Sequence, residues 1–294
     1  MTCIVCKTNY ASAQGQAYSR CPECGHEMLT DNRTQTYIIN DAIDTALPEA
    51  KSGLDKFKRK TALTRANRRE TLVDIGCGPG AFPYQIKPDF KRTIGVEVTP
   101  ECIEFARTKL NLEIHERLTP LEQAPSVVTG WHSFEHLPDR ELENTLGWLK
   151  SNCADDSVVI VSVPNAASFQ SSWFGRKYAY YDVPNHIHQF TTRSLDRLFT
   201  NYGFIRKSRV FSFPYLWFGY LQGFLNVFNS IHNYLYYRKK RGWTYNKSRA
   251  QLRLLDFYNY ALVALFLPVA FGMTVLDWLF PSRAGVITHI YQKA

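Results

Sequence analysis

The stretch Thr71-Leu-Val-Asp-Ile-Gly-Cys-Gly-Pro-Gly-Ala-Phe82 limits what this chain can become more than any other. An apolar run of strand-forming residues reaches Asp74, glycines alternate at 76, 78 and 80, and a helix-forming sequence follows. That order predicts a buried strand, a glycine turn and a helix start. Glycines there allow positive φ and let a ligand approach the main chain closely, while the helix N-terminus presents unpaired N–H groups. A nucleotide-like ligand fits such a turn.

The spacing separates two ligand classes. A dinucleotide loop has the form G-x-G-x-x-G and brings pyrophosphate onto the helix N-terminus. This chain has G-x-G-x-G, with an acid two residues before the first glycine. A carboxylate there repels pyrophosphate and suits a cationic ligand. At the end of the next predicted strand, Thr93 to Val98, Glu97 stands where an acid accepts both hydroxyls of a ribose. The pairing resembles the class I S-adenosylmethionine-dependent methyltransferases. The resemblance implies that Asp74, Gly76, Cys77, Gly78 and Gly80 surround the amino-acid end of S-adenosylmethionine and that Glu97 holds its ribose. Cys77 reads as packing behind the loop and not as a reactive thiol.

From Thr71 onward strands alternate with helices. Strands are expected at 92–98, 112–115, 126–131 and 157–163, with helices at 82–87, 100–110 and 139–152. Such alternation implies a parallel sheet with helices on both faces. The expected fold is a Rossmann-like, doubly wound α/β sheet, mostly parallel, in which the last strand (285–292) runs antiparallel beside a strand at 205–213. Its ligand edge lies beyond the carboxyl ends of the strands, where Asp74, Glu97, Trp131 and Asn165 fall.

Two more stretches carry the resemblance. Trp131-His-Ser-Phe-Glu-His-Leu-Pro-Asp139 looks like the family's fourth-strand segment, which implies Trp131 and His132 at the cofactor. Pro184-Asn-His-Ile-His-Gln-Phe-Thr-Thr-Arg-Ser-Leu195 resembles the stretch after strand five, with Thr191 or Thr192 capping the next helix. A hydroxyl acceptor gains reactivity from a nearby base. The expected catalytic set is His188 as base, His186 as orienting or substrate-binding group, and Tyr181 just before them. The resemblance spans roughly residues 70–213 and the last strand, and it is specific for cofactor and fold more than for acceptor.

Residues 1–30 read as a separate zinc ribbon. Cys3-x-x-Cys6 and Cys21-x-x-Cys24 each place two thiolates within reach of one ion, and the residues between them suffice for a short hairpin. Metal binding would supply the folding energy of a segment with almost no apolar core. Residues 31–70 read as a linker and a basic helix, Lys51 to Arg69, whose charge suits a solvated face. The methyltransferase domain is expected over 71–213 and 284–294.

Residues 214–283 are an insertion between the last two strands. Val210–Ile231 and Phe257–Leu276 each run for about twenty residues without a charged side chain, which is long enough to span a bilayer. A spanning hairpin would export the loop Arg238–Arg253, which holds seven Lys or Arg and no acid. The positive-inside rule opposes that topology. The expectation is two helices lying in, or dipping into, the cytosolic leaflet, with the basic loop against anionic headgroups and Gln222, Asn226, Asn229 and Asn233 forming a polar stripe; the alternative is a helical lid packed on its own domain or a dimer interface. The net charge of +9 agrees with an anionic partner. The chain opens without a basic-then-apolar leader, and its seven cysteines suit a reducing cytosol, peripheral to the membrane.

These readings lead to a membrane-associated methyltransferase acting on oxygen of a small or lipid-linked acceptor, such as a saccharide or an isoprenoid quinone. The alternative is a nucleic-acid methyltransferase, since a zinc ribbon before such a domain also looks like certain ribosomal-RNA base methyltransferases. Against it, the Asn-Pro-Pro-aromatic motif of amino-group methylation is absent where the chain reads His132-Ser-Phe-Glu.

Overall fold

The computed structural model describes residues 1–13, 15–30, 53–240 and 242–294. Residues 31–52, the expected linker and the first two residues of the expected basic helix, lie outside the described residues. In chain order the elements are β1 (Tyr18–Arg20), β2 (Glu27–Leu29), α1 (Gly53–Arg65), β3 (Thr71–Ile75), α2 (Ala81–Ile86), β4 (Arg92–Val96), α3 (Pro100–Thr108), β5 (Glu113–His115), β6 (Val127–Trp131) and α4 (Asp139–Asn152). They continue with β7 (Val158–Pro164), α5 (Phe169–Phe174), β8 (His188–Gln189), α6 (Thr192–Asn201), β9 (Phe204–Arg209), α7 (Phe213–Phe228), α8 (Tyr234–Lys240), α9 (Arg249–Leu279) and β10 (Val286–Lys293).

Seven strands form one sheet in the order β5-β4-β3-β6-β7-β10-β9. β3 pairs in parallel with β4 and β6, while β10 runs antiparallel between β7 and β9. The expected Rossmann-like mixed sheet is present. β3, β6 and β7 are buried along their whole length. Helices cover both faces, so these strands read as continuous apolar runs without alternation. On one face Leu142, Leu146 and Leu149 of α4 and Leu195, Leu198 and Phe199 of α6 meet Val73, Val128, Val159 and Val161. Their spacing of three and four residues sets one helical stripe toward the sheet. Thr191 caps α6 by accepting the Ser194 N–H.

α1 lies on the opposite face. Its Ala62, Phe57 and Leu63 join Leu72, Val127, Val158 and Ile160, and Lys56 and Lys60 remain exposed. The solvated basic face expected from the sequence is therefore one side of a helix whose other side covers the sheet.

The cysteine-rich segment is more closely joined to the rest than expected. β2 pairs with β1 on one side and with β8 on the other, so a strand from residues 188–189 completes the ribbon's sheet. Ile4, Val5 and Met28 enter the same core as α4 and α6. Local sequence could not show this, because the pairing joins residues about 160 positions apart.

The insertion also differs from its expected form. α7 packs along α9, with Tyr220, Leu221 and Leu225 against Ala270, Leu262 and Phe266. Its amide stripe faces inward, not toward water. Gln222 Nε2 donates to Asn226 Oδ1 (3.1 Å), Asn226 Nδ2 donates to Lys177 O (3.0 Å) and to Asn233 Oδ1 (2.9 Å), and Asn229 Nδ2 donates to Asn259 Oδ1 (3.0 Å). These four amides are buried, so the stripe is a seam holding α7 to its neighbours. The outer side of the pair is α9, a 31-residue helix with Pro268 inside it. Its Leu254, Phe257, Leu265, Val275 and Trp278 are more than half exposed.

Asn226→Ala is expected to lower unfolding stability by about 2–4 kcal/mol, because it strands buried partners at about 1–3 kcal/mol each. Phe257→Ser, at a side chain 74% exposed, is expected to change stability by less than about 0.5 kcal/mol. Urea titration of both variants checks the seam.

Candidate active site

The glycine loop is shaped by what surrounds it. A side chain at Gly76 (φ 71°) would strike Ser133, and one at Gly80 (φ 87°) would strike Leu112 and Ala106. Both positions require glycine because the backbone turns left-handed against packed neighbours. A side chain at Gly78 would meet open space and Gly76 is exposed, so the loop presents its main chain to a ligand there. Cys77 is buried behind the loop with Ile103, Ala106 and Ile114, so only its main chain belongs to the ligand side.

Two carboxylates flank this loop. Asp74 is enclosed at the end of β3, and its Oδ1 accepts the Thr129 hydroxyl at 2.6 Å. Burial pushes the Asp74 carboxyl up to about 7, against the pull of that hydroxyl and of the Lys58 charge. Glu97 accepts the N–H of Gly78 at 2.7 Å through Oε2 and those of Val98 and Thr99 at 2.8 and 2.9 Å through Oε1. These bonds hold the carboxylate beside the loop while leaving lone pairs for further donors.

Trp131 lies beneath α1. Phe57 and Phe82 meet its ring edge-on, with centroids at 6.2 and 5.7 Å, and Lys58 Nζ stands 5.7 Å from the ring centre. The tryptophan is thereby a wall of the site and not an open stacking platform. Burial draws the Lys58 ammonium below its usual value, although Asp74 and Asp55 favour its charge. Nothing in the sequence separated Lys58 from the other basic residues of α1.

His132 follows Trp131 with left-handed backbone (φ 55°). Its Nδ1 lies 3.2 Å from Glu135 Oε1, and its ring rests against Tyr180 and Tyr215 at 5.7 and 4.7 Å between centroids. Glu135 is fully buried. Burial alone would raise its carboxyl, but the His132 hydrogen bond and the charges of His132, His136 and His186 hold it down at about 2. Tyr215 comes from α7 and Tyr180 from the turn that follows α5, so both reach the site through tertiary packing. Around the end of β6, Trp131 Nε1, His132 Nε2, Ser133 Oγ, Glu135 Oε2 and Tyr215 Oη are buried without a hydrogen-bond partner. Such atoms are rare in folded proteins and mark a place where a ligand completes the bonding.

The expected catalytic trio is split. His188 is enclosed between the ribbon and the domain, its Nδ1 3.1 Å from His26 Nε2 and its Nε2 3.5 Å from Asp139 Oδ1. Burial lowers it to about 4. It supports the interface and is not placed as a base for an acceptor, because β8 turns it into the ribbon's sheet. Tyr181 packs edge-on against Tyr18 of the ribbon at 5.3 Å. His186 is the member that reaches the strand ends, with its ring 4.6 Å from that of His136. Burial and the neighbouring His136 lower it to about 4. Asn165, expected at the ligand edge, instead donates to Ser282 O and Ala284 O and fastens β7 to the end of the insertion.

Residues 48–205, more than half of the chain, match a family described as a methyltransferase domain. The chain belongs to that family. No curated protein sequence matches it. Among solved structures it is similar in fold to a sarcosine dimethylglycine methyltransferase from Galdieria sulphuraria, at 12% identity over 82% of this chain and 85% of that one, with a TM-score of 0.52. The cyclopropane synthase MmaA2 from Mycobacterium tuberculosis aligns at 13% identity over 86% and 87%, with a TM-score of 0.49. DesVI from Streptomyces venezuelae aligns at 20% identity over 36% of this chain, which spans 48% of that one, with a TM-score of 0.33.

The methyltransferase has the loop chemistry its cofactor requires. Open space at Gly78, an enclosed carboxylate at Asp74 and an anchored one at Glu97 fit the main chain, cationic end and ribose of S-adenosylmethionine. The four ribbon cysteines also fit one ion. Cys3, Cys6, Cys21 and Cys24 bring their sulfurs within 4.8 Å of one another. Cys3 and Cys24 stand 3.6 Å apart, and Cys6 and Cys21 3.4 Å. These separations are too long for disulfides, whose S–S bond is about 2.05 Å, and suit tetrahedral thiolate ligation.

The ribbon's strands hold the segment that carries His186. Leu29 N donates to Ile187 O, and Tyr18 Oη donates to His186 O at 2.8 Å. Cys21→Ser is therefore expected to speed amide hydrogen exchange at residues 186–190 while leaving residues 72–75 of β3 unchanged. Mass-spectrometric exchange on the intact and substituted chains checks this.

Proposed function

We propose that this methyltransferase transfers the methyl group of S-adenosylmethionine to oxygen of an amphiphilic small or lipid-linked acceptor, a saccharide or an isoprenoid quinone, at the cytosolic face of a membrane. The observation that carries the reading is the double placement of the insertion. α7 delivers Tyr215 against His132, and its partner α9 presents a long exposed apolar surface. The helix is long and apolar enough to cross a membrane, and only 22% of its most apolar window is buried. A single insertion thus joins the acceptor side of the site to a surface suited to lipid. The basic residues of 238–253, which fall on the end of α8, the connection after it and the start of α9, suit anionic headgroups, and the ribbon carries structural Zn²⁺.

S-adenosylmethionine supplies an activated methyl group on a sulfonium, so the protein has mainly to align the acceptor and exclude water. In this reading Asp74 and the loop main chain hold the cationic end and Glu97 the ribose. His132 replaces His188 as the base. Glu135 takes the Nδ1 proton of His132 as a hydrogen bond, which leaves the Nε2 lone pair to receive the acceptor's proton. Tyr180 and Tyr215 hold the imidazole in place.

A second reading, methylation of nucleic acid, draws on a cleft of about 620 Å³ between ribbon and domain that is lined by Arg20, Arg193 and Arg283. RNA binding that weakens steeply with salt would favour it.

Three outcomes test the proposal. Intact protein is expected to sediment with anionic vesicles, and a variant with Leu254, Phe257, Leu265 and Trp278 changed to serine is expected to stay in the supernatant while still binding S-adenosylmethionine. Sedimentation of neither would remove the membrane from the reading. His132→Gln is expected to lower kcat by about 10²–10⁴-fold with cofactor affinity kept, as steady-state rates and calorimetry would show. Because the Asp74 carboxyl titrates near 7, it must lose a proton to hold a cation. Cofactor affinity should fall by up to about tenfold per pH unit below that value and level off above it. Asp74→Asn should bind weakly with no such slope.

A further inference from the structure

We propose that Glu135, His136 and His186 form a second metal site, for one divalent transition ion of the zinc, iron(II) or cobalt(II) kind, distinct from the four-cysteine cluster. Each residue offers one ligand atom, and the three atoms lie within 4.8 Å of one another. With metal–ligand bonds of about 2.1 Å, two ligands on one ion are at most about 4.2 Å apart. Small side-chain rotations close the remaining gap.

The bonding around these residues is what a ligand set needs. Glu135 Oε2 and His186 Nδ1 are buried without a hydrogen-bond partner, on side chains that are 0% and 6% exposed. An enclosed carboxylate oxygen and imidazole nitrogen with nothing to bind are costly, and one cation satisfies both. Their outer contacts are already made. His132 Nδ1 meets the other Glu135 oxygen, Oε1, at 3.2 Å. His136 Nδ1 donates to Asn185 O at 2.9 Å, which sets its lone pair on Nε2. Ligating carboxylates and imidazoles are oriented by such contacts.

The backbone brings the ligands together from two distant places. Glu135 and His136 lie on the short turn Phe134–His136 after β6. His186 arrives on the segment clamped by the ribbon, and the next residue, Ile187, donates its N–H to Glu135 O at 2.8 Å. Tyr18 Oη holds the His186 carbonyl. The geometry of the second site therefore depends on the docked ribbon.

Two imidazoles and one carboxylate favour borderline first-row ions over magnesium or calcium, which prefer oxygen ligands. Three protein ligands leave coordination positions open. An ion there would take an oxygen of the acceptor and make its hydroxyl more acidic. That role rests on the proposed methyl transfer to oxygen; the site itself does not.

The test is to strip the full-length protein of metal and titrate it with cobalt(II). Two equivalents per chain are expected, one with the thiolate charge-transfer bands of the cysteine cluster and one with the weaker bands of nitrogen and oxygen ligands. Glu135→Gln and His186→Ala are each expected to lose the second equivalent, with affinity down by at least about 100-fold, and to keep the thiolate bands, which also reports a retained fold. One equivalent on the intact chain, or two on both variants, overturns the site. Should a variant lose the thiolate bands as well, the number and ligand type of the ions on the intact chain decide. No acceptor is used, so failure to find an oxygen acceptor leaves this result standing.

Discussion

The contact between the glycine loop and the end of β6 governs the rest of the site. Ser133 fills the space that a side chain at Gly76 would need, so the loop and the turn after β6 are pressed together. That contact sets Asp74 and the open main chain at Gly78 on one side and His132 and Glu135 on the other. In the proposed reading, groups for the cofactor and groups for the acceptor are thus adjoining parts of one packed seam.

The insertion is held to this seam by polar contacts that water cannot reach. The amides of Gln222, Asn226, Asn229 and Asn233 bond to one another, to Asn259 and to the carbonyls of Lys177 and Ala179. Buried amides tolerate little misalignment, because each unmade bond leaves a desolvated group. They fix α7 in one register and so fix Tyr215 against His132. The apolar residues of α9 could pack in many ways; the amide seam selects one.

The ribbon has a similar constraining effect from the opposite side. Its sheet is completed by β8, and the bonds from Tyr18 and Leu29 fasten residues 186 and 187 beside Glu135. With an ion on its four cysteines, a small unit with little core of its own would order a loop in this way, because its rigidity would come from ligation. The methyltransferase fold supplies the sheet edge with the glycine loop, while ribbon and insertion build the proposed acceptor edge from both flanks.

The sequence by itself determined the sheet, the cofactor loop and the cysteine cluster. Each is a local pattern: strand, glycine and acid within a few residues in one case, paired Cys-x-x-Cys knuckles in the other. Polar residues were another matter, since type and spacing do not say which way a side chain faces. The amide stripe looked like the wet side of a membrane helix and is a buried seam. His186 and His188 looked alike, yet strand pairing with the ribbon turns one into an interface and leaves the other at the strand ends. Lys58, Tyr180 and Tyr215 carried no signal at all. Only the tertiary structure assembled the proposed acceptor side, because its residues come from separated segments and become neighbours only when the helices, the ribbon and the sheet are packed together.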